Sequence, residues 1–205
     1  PSLDGSRPGI YWINLKDSAN WPKWSLPTLT YHEASPGHHL QIALQQESPS
    51  APMLMNTIFF SAHGEGWGLY AEQLADELGA YEGDPLGQVG YLQSLMFRAV
   101  RLVVDTGLHA KGWSRERAIQ YMVDTCGRAG DAATSEIDRY CGWPGQATAY
   151  KVGHNEWVRL REKAKTDLGP RFDLRSFHDT TLAAGGVPLS VLGRLVDDWV
   201  ASRRA

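Results

Sequence analysis

Tyr31-His32-Glu33-Ala34-Ser35-Pro36-Gly37-His38-His39-Leu40-Gln41 is the stretch on which the reading of this chain turns. Its flanks are helical in pattern, from Thr28 to Ser35 and again from Pro36 to about Glu47. Pro36 has no N–H to give to the carbonyl of His32, so the helix must bulge or restart there. Ser35 then reads as an N-cap and Pro36 as the first helical residue. The pattern continues downstream. Helices are expected from about Met53 to Leu78, with Gly64, Gly66 and Gly68 inside, and from Leu86 to about His109. Ser114 is a good N-cap for a helix carrying Ala118, Ile119, Met122 and Val123 at helical spacing. Ser135–Tyr140, Pro144–Lys165, Phe172–Ala183 and Leu189–Ala201 complete the expected helices. Upstream, prolines mark loops, and Ile10-Tyr11-Trp12-Ile13-Asn14-Leu15 is the best strand candidate, β-branched and aromatic. The fold class is mainly α, with a short N-terminal strand or hairpin. It reads as a single helical domain over residues 1–205.

Composition excludes several classes of function. Twenty Lys and Arg against 23 Asp and Glu leave a formal charge of −3, no footprint for nucleic acid or an anionic membrane. No apolar run reaches the roughly 18 residues needed to span a bilayer. Cys126 and Cys141 allow at most one bridge and make no disulfide scaffold. Eight Trp, eight Tyr and five Phe are a heavy aromatic load, enough to line a concave surface as well as a core. The chain opens on Pro and not Met, which reads as a processed product or a piece of something longer.

The quoted stretch is also the densest cluster of metal-capable side chains. A zinc hydrolase holds its ion with neutral imidazoles and keeps a carboxylate nearby, off the metal, to take a proton from the bound water. Two His at i and i+4 share a helical face, with the Glu beside the first. Here Pro36 occupies the i+4 position. On an unbroken helix His38 would point about 240° away from His32, and His39 would share its face but lie about 10 Å along the axis. A two-residue bulge at Pro36-Gly37 would restore His38. His38 and His39 therefore stand as alternatives for the second ligand. The third ligand should come from a helix that folds back. Glu65 lies 27 residues after His38 and is flanked by glycines that need a packing or site reason. Glu72, two turns on, shares its face. His63, His154 and His178 read as surface or satisfied core histidines.

The strings Tyr31–Gln41, Glu65–Glu72 (EGWGLYAE) and Pro144–Gly153 (PGQATAYKVG), with Asp4–Gly9 and Phe177-His178, resemble the bacterial family known as domain of unknown function 885. That family looks related to zinc metallopeptidases of the gluzincin type. The resemblance implies a helical zincin-like metallopeptidase domain, with His32, His38 and Glu65 on Zn2+, Glu33 as general base and a peptide as substrate. Gly37 directly before His38 favours that residue over His39, which is left to touch substrate. Members of the family are usually more than twice this length. The chain then resembles their C-terminal, motif-bearing part, with a missing N-terminal region or a homodimer partner completing it. The resemblance leans towards the bacterial envelope or periplasm.

Three further groups complete the candidate list. Arg101, Asp105 and His109 recur at i+4 on one helical face, where a carboxylate or imidazole could orient a metal ligand. Tyr150 follows a loop-to-helix step and is a candidate donor to a developing oxyanion. The Ile10–Leu15 strand could present an edge to an extended peptide. A rival enzyme reading recruits Glu33, His38, Glu65, Glu72 and Glu136 to two irons, although no Glu-x-x-His spacing is present. A helical binding module without catalysis is the non-enzymatic rival.

Overall fold

The computed structural model describes residues 1–13, 22–49, 52–127 and 129–204. The described residues form nine α-helices: α1 Leu26–Glu33, α2 His38–Glu47, α3 Ser61–Glu77, α4 Pro85–Lys111, α5 Arg115–Cys126, α6 Gly130–Gly142, α7 Gln146–Leu168, α8 Leu174–Ala183 and α9 Leu189–Arg204. Short 3-10 turns at Lys23–Ser25, Met53–Asn56 and Gly169–Arg171 connect them.

Local chemistry explains the helix ends. Ser114 Oγ accepts from the Arg117 N–H at 3.1 Å, the expected cap of α5. Asp84 accepts from Gly87 N at 2.9 Å with Pro85 in the first turn, so α4 opens one residue before Leu86. Two expectations are corrected. The helix assigned from Met53 is a 3-10 turn, and α3 begins only at Ser61, because Phe60 is extended and Thr57 turns its hydroxyl onto Leu54 O. Ser35 does not cap α2. The helix begins at His38, with Gly37 before it and no side-chain cap.

No strand occurs among the described residues, which corrects the N-terminal strand or hairpin. Ile10–Ile13 carries no regular structure, and Asn14 and Leu15 lie outside the described residues. A strand needs a paired neighbour, and this segment lies against α1 and α2 instead, with Trp12 82% exposed. Cys126 is buried and Cys141 exposed.

The core has two parts. Trp67, Tyr70, Trp157, Phe177, Leu192 and Trp199 fill the space between α3, α7, α8 and α9. Phe97, Val104, Met122, Ile137, Tyr140 and Ala147 fill the space between α4, α5, α6 and the start of α7. The two are joined along α3 and α7, where backbone meets backbone: a Cβ on Gly66 would lie 2.6 Å from Gly153 Cα. Two glycines in mid-helix cost about 1 kcal/mol each in propensity. Here they permit the close approach that brings the Trp67 and Trp157 rings to 5.1 Å. Truncating either fully buried indole to Ala would cost roughly 3–5 kcal/mol.

Candidate metal centre

The break between α1 and α2 is where the site is made. Helix α1 stops at Glu33, residues 34–37 cross over, and α2 restarts at His38. Gly37 is confined there, since a Cβ would run into the carbonyl oxygens of Tyr31 and His32. The Trp67 indole N–H reaches across from α3 to Pro36 O at 2.9 Å and Gly37 O at 3.2 Å. Pro36 O thus gains a partner from α3, while Gly37 O also accepts the Gln41 N–H of α2 at 3.1 Å. The result is that the rings of His32 and His38 meet edge to face at 4.7 Å.

Glu65 on α3 faces both imidazoles. Its Oε2 is 3.2 Å from His38 Nε2 and 3.7 Å from His32 Nε2. One donor atom from each of His32, His38 and Glu65 can be chosen so that all lie within 4.8 Å of one another. The α3 glycines supply the room. A Cβ on Gly68 would sit 2.7 Å from His32 Cε1 and 3.0 Å from His38 Cε1, so only glycine lets the two rings lie on α3. Gly66 serves the packing on α7, and Gly64 receives the Phe59 ring.

Glu72 holds the other side of His32, accepting from Nδ1 at 2.8 Å while wholly buried. This bond fixes the imidazole and leaves Nε2 turned to Glu65, the arrangement that orients a metal-ligating histidine. Arg98 lies 3.9 Å from the same Glu72 oxygen. Burial by itself would push the His32 pKa down, yet the hydrogen bonds to Glu65 and Glu72 outweigh it and the net direction is up. Burial likewise opposes ionisation of Glu65, and its hydrogen bonds to His32 and His38 reverse the sign, holding the carboxyl well below the usual range. The Glu65 carboxylate is thus held as an anion between the two imidazoles. Two nitrogens and one oxygen at this spacing suit zinc, which takes three such protein ligands in catalytic sites and keeps a further position open.

Glu33 and His39 lie on the open side. With His38, Tyr11 and Ile42 they line a cleft of about 330 Å³ whose far wall is the N-terminal segment around Gly9. His39 is exposed there and packs against Gly9. Tyr150, half-buried, stacks on His32 with ring centroids 6.2 Å apart. The Arg101 guanidinium lies 4.5 Å from the centre of that same ring.

Asp105 and His109 are not brought to the cluster. Asp105 accepts from Gly145 N at 3.1 Å, pinning the turn that launches α7, and His109 Nε2 donates to Tyr140 O at 3.1 Å. Their i+4 spacing on α4 faces α6 and α7. Arg101 likewise turns most of its donors to α6, giving Nε to Tyr140 Oη at 2.7 Å and Nη2 to Glu136 at 2.9 Å. Glu136 is thereby committed to Arg101, Tyr140 and Arg139 and is remote from His38 in its bonding. Among the described residues His32, His38 and Glu65 form the one group of three with metal-ligand spacing. The residue whose part sequence reasoning passed over is Trp67. Its position carried a signal, an indole set between two of the three glycines.

His63, His154 and His178 are core groups. His154 bonds Lys151 and Gln73, and His178 bonds Tyr70. Burial presses the pKa of each of the three down to about 4.

Residues 1–196 match the family described as bacterial protein of unknown function, DUF885, and the chain belongs to that family. Two solved structures are similar to it, each described as a "putative lipoprotein". The one from Colwellia psychrerythraea is 54% identical with a TM-score of 0.96, covering 98% of this chain and 34% of its own. The one from Shewanella oneidensis is 29% identical with a TM-score of 0.80, covering 91% of this chain and 34% of its own. The chain thus spans about a third of the length of the structures it matches. No curated protein matches it.

Proposed function

We propose that this domain is a zinc-dependent hydrolase acting on peptide bonds, with His32, His38 and Glu65 as the metal ligands and Glu33 as general base. The observation that carries the reading is the convergence of three donors from three helices, with a further carboxylate at the edge of the adjoining cleft. Bound zinc would polarise the scissile carbonyl and lower the pKa of its water to about 7. Glu33 takes the proton from the attacking water and returns it to the leaving amine nitrogen. Glu72 is a positioning residue, keeping the His32 proton on Nδ1 so that Nε2 stays free. Tyr150, stacked on His32, gives its hydroxyl to the developing oxyanion. His39, exposed in the cleft, contacts the peptide.

The domain also reads as part of a longer chain, supported by the third of the length it spans in its structural relatives. Leu86, Val89, Leu92 and Met96 run along α4 as an exposed apolar stripe for further chain or a second copy to cover. The lipoprotein descriptions of both relatives support a place in the bacterial envelope, and no helix among the described residues is long and apolar enough to cross a membrane.

Elemental analysis of protein purified without chelator tests the metal. About one zinc per chain is expected, lost in His32→Ala. Glu33→Gln should keep the zinc and lose peptide hydrolysis by roughly 10²–10⁴-fold. A folded protein that takes up no zinc, or a Glu33→Gln variant as active as its parent, overturns the proposal.

A further inference from the structure

The cleft beside Glu33 has a neighbouring cavity. Ile42, one turn along α2 from His38, is a wall of that cleft and also of a second cavity of about 170 Å³. The second cavity lies between α2 and the segment that precedes α3, and its apolar walls are Ile42, Met55, Ile58, Phe59 and Phe60. An apolar cavity of about 150 Å³ holds a benzene-sized ring, so this one takes a leucine or phenylalanine side chain.

Two polar side chains share its lining and are left with unmet hydrogen-bonding capacity. Gln41 is 5% exposed and His63 1% exposed. The Gln41 amide donates through Nε2 to His63 Nδ1 at 3.2 Å, which places the proton of the neutral ring on Nε2. Gln41 Oε1 and His63 Nε2 then have no partner among the described residues. An unpaired buried polar atom costs about 1–3 kcal/mol.

Resting on the peptide-hydrolase reading above, we propose that this second cavity is a specificity subsite for a large apolar side chain, leucine or phenylalanine, next to the scissile bond. Ile42, a wall shared by the two, puts the cavity beside the cleft in which the peptide would lie. The apolar walls set its preference, and Gln41 and His63 close the cavity as a buried pair.

Gly186 offers a way to close the subsite. It lines the cavity, its φ is not positive, and a Cβ there would meet nothing nearer than Gln45 Oε1 at 3.6 Å. The test compares zinc-loaded parent, Gly186→Leu and Phe59→Ala on capped peptides that differ at one position, Leu, Phe, Ala or Asp. The parent should prefer Leu and Phe over Ala and Asp by at least about tenfold in kcat/KM, an amount a well-filled apolar pocket supplies. Both variants should collapse the Leu-to-Ala ratio, Gly186→Leu by filling the cavity and Phe59→Ala by removing a wall. A flat series in the parent, or an unchanged ratio in both variants, overturns the subsite. A parallel titration uses N-acetyl-leucinamide and N-acetyl-alaninamide, followed by NMR shifts of the protein. Tighter leucinamide binding that Gly186→Leu abolishes upholds the cavity even where no peptide is cut, and then the hydrolase reading alone has failed. Equal binding of the two amides overturns the subsite.

Discussion

Two buried polar clusters lie on either side of Tyr150, and they are built to opposite ends. On the α4–α6 side, Arg101 meets Glu136 and Tyr140, and the Tyr140 hydroxyl donates to the same Glu136 oxygen at 2.6 Å. Each charge there has its opposite within the protein. On the α1–α2–α3 side, His32 and His38 turn nitrogen atoms towards a single Glu65 oxygen, while Glu72 braces His32 from behind with its second oxygen unpartnered. That cluster carries carboxylates in excess of any fixed cation and holds ligand atoms converging on one point. The contrast teaches how to tell a structural ion pair from a site. Leftover donors do not separate the two, since Arg101 Nη1 and Arg139 Nε are also unpartnered. The ion network pairs cation with carboxylate, whereas the candidate site leaves donor atoms of His32, His38 and Glu65 converging on one point.

The comparison can be broken by experiment. The largest effect is expected from Arg101→Ala, which leaves Glu136 without its main partner and should cost about 3–5 kcal/mol in urea unfolding. Zinc stoichiometry of the folded variant should be unchanged. Loss of zinc in Arg101→Ala would erase the distinction between the clusters. A pH series comes next and probes the core between them. His154 and His178 have folded pKa values near 4, below the ordinary 6.5. The folded state therefore binds fewer protons than the unfolded chain, so their contribution is fully present above pH 6.5 and is lost as pH falls towards 4. The loss is on the order of 3 kcal/mol per histidine at most. His154→Gln should flatten the acid limb of the urea midpoint plotted against pH.

Glu72→Gln sharpens the other side of the comparison. It should weaken zinc by about 10–100-fold in a competitive chelator titration, as loss of an orienting carboxylate does. It should shift the urea midpoint of the metal-free protein less than Arg101→Ala does. Smallest is Ser114→Ala, a loss of about 1 kcal/mol from an exposed cap, seen in thermal unfolding with no change in metal binding. That variant sets the scale for a change that touches neither cluster.

Much of the site was legible because its parts are close together in sequence. His32, Glu33, Pro36, Gly37 and His38 fall within one short stretch, and a proline in a helical pattern announces a break whatever surrounds it. The position of α2's first residue was not legible. It depends on Trp67, which is 31 residues from Pro36 and bonds its carbonyl only once α3 has packed. The i+4 row Arg101, Asp105, His109 was visible, but its destination was not. A helical face says which residues travel together, and the neighbour they meet is chosen by packing.

The sequence by itself determined the helical class, the Ser114 cap, the break at Pro36 and a set of candidate ligands, because each follows from backbone sterics or hydrogen bonds spanning a few residues. Only the tertiary structure decided that Glu65 faces both imidazoles, that Glu72 braces His32, that Asp105 serves a turn and that Ile10–Ile13 finds no strand partner. Those outcomes hang on contacts between helices far apart in the chain, above all the glycine-on-glycine approach of Gly66 and Gly153. Such an approach depends on the shape of both surfaces at once, and neither segment carries that information alone.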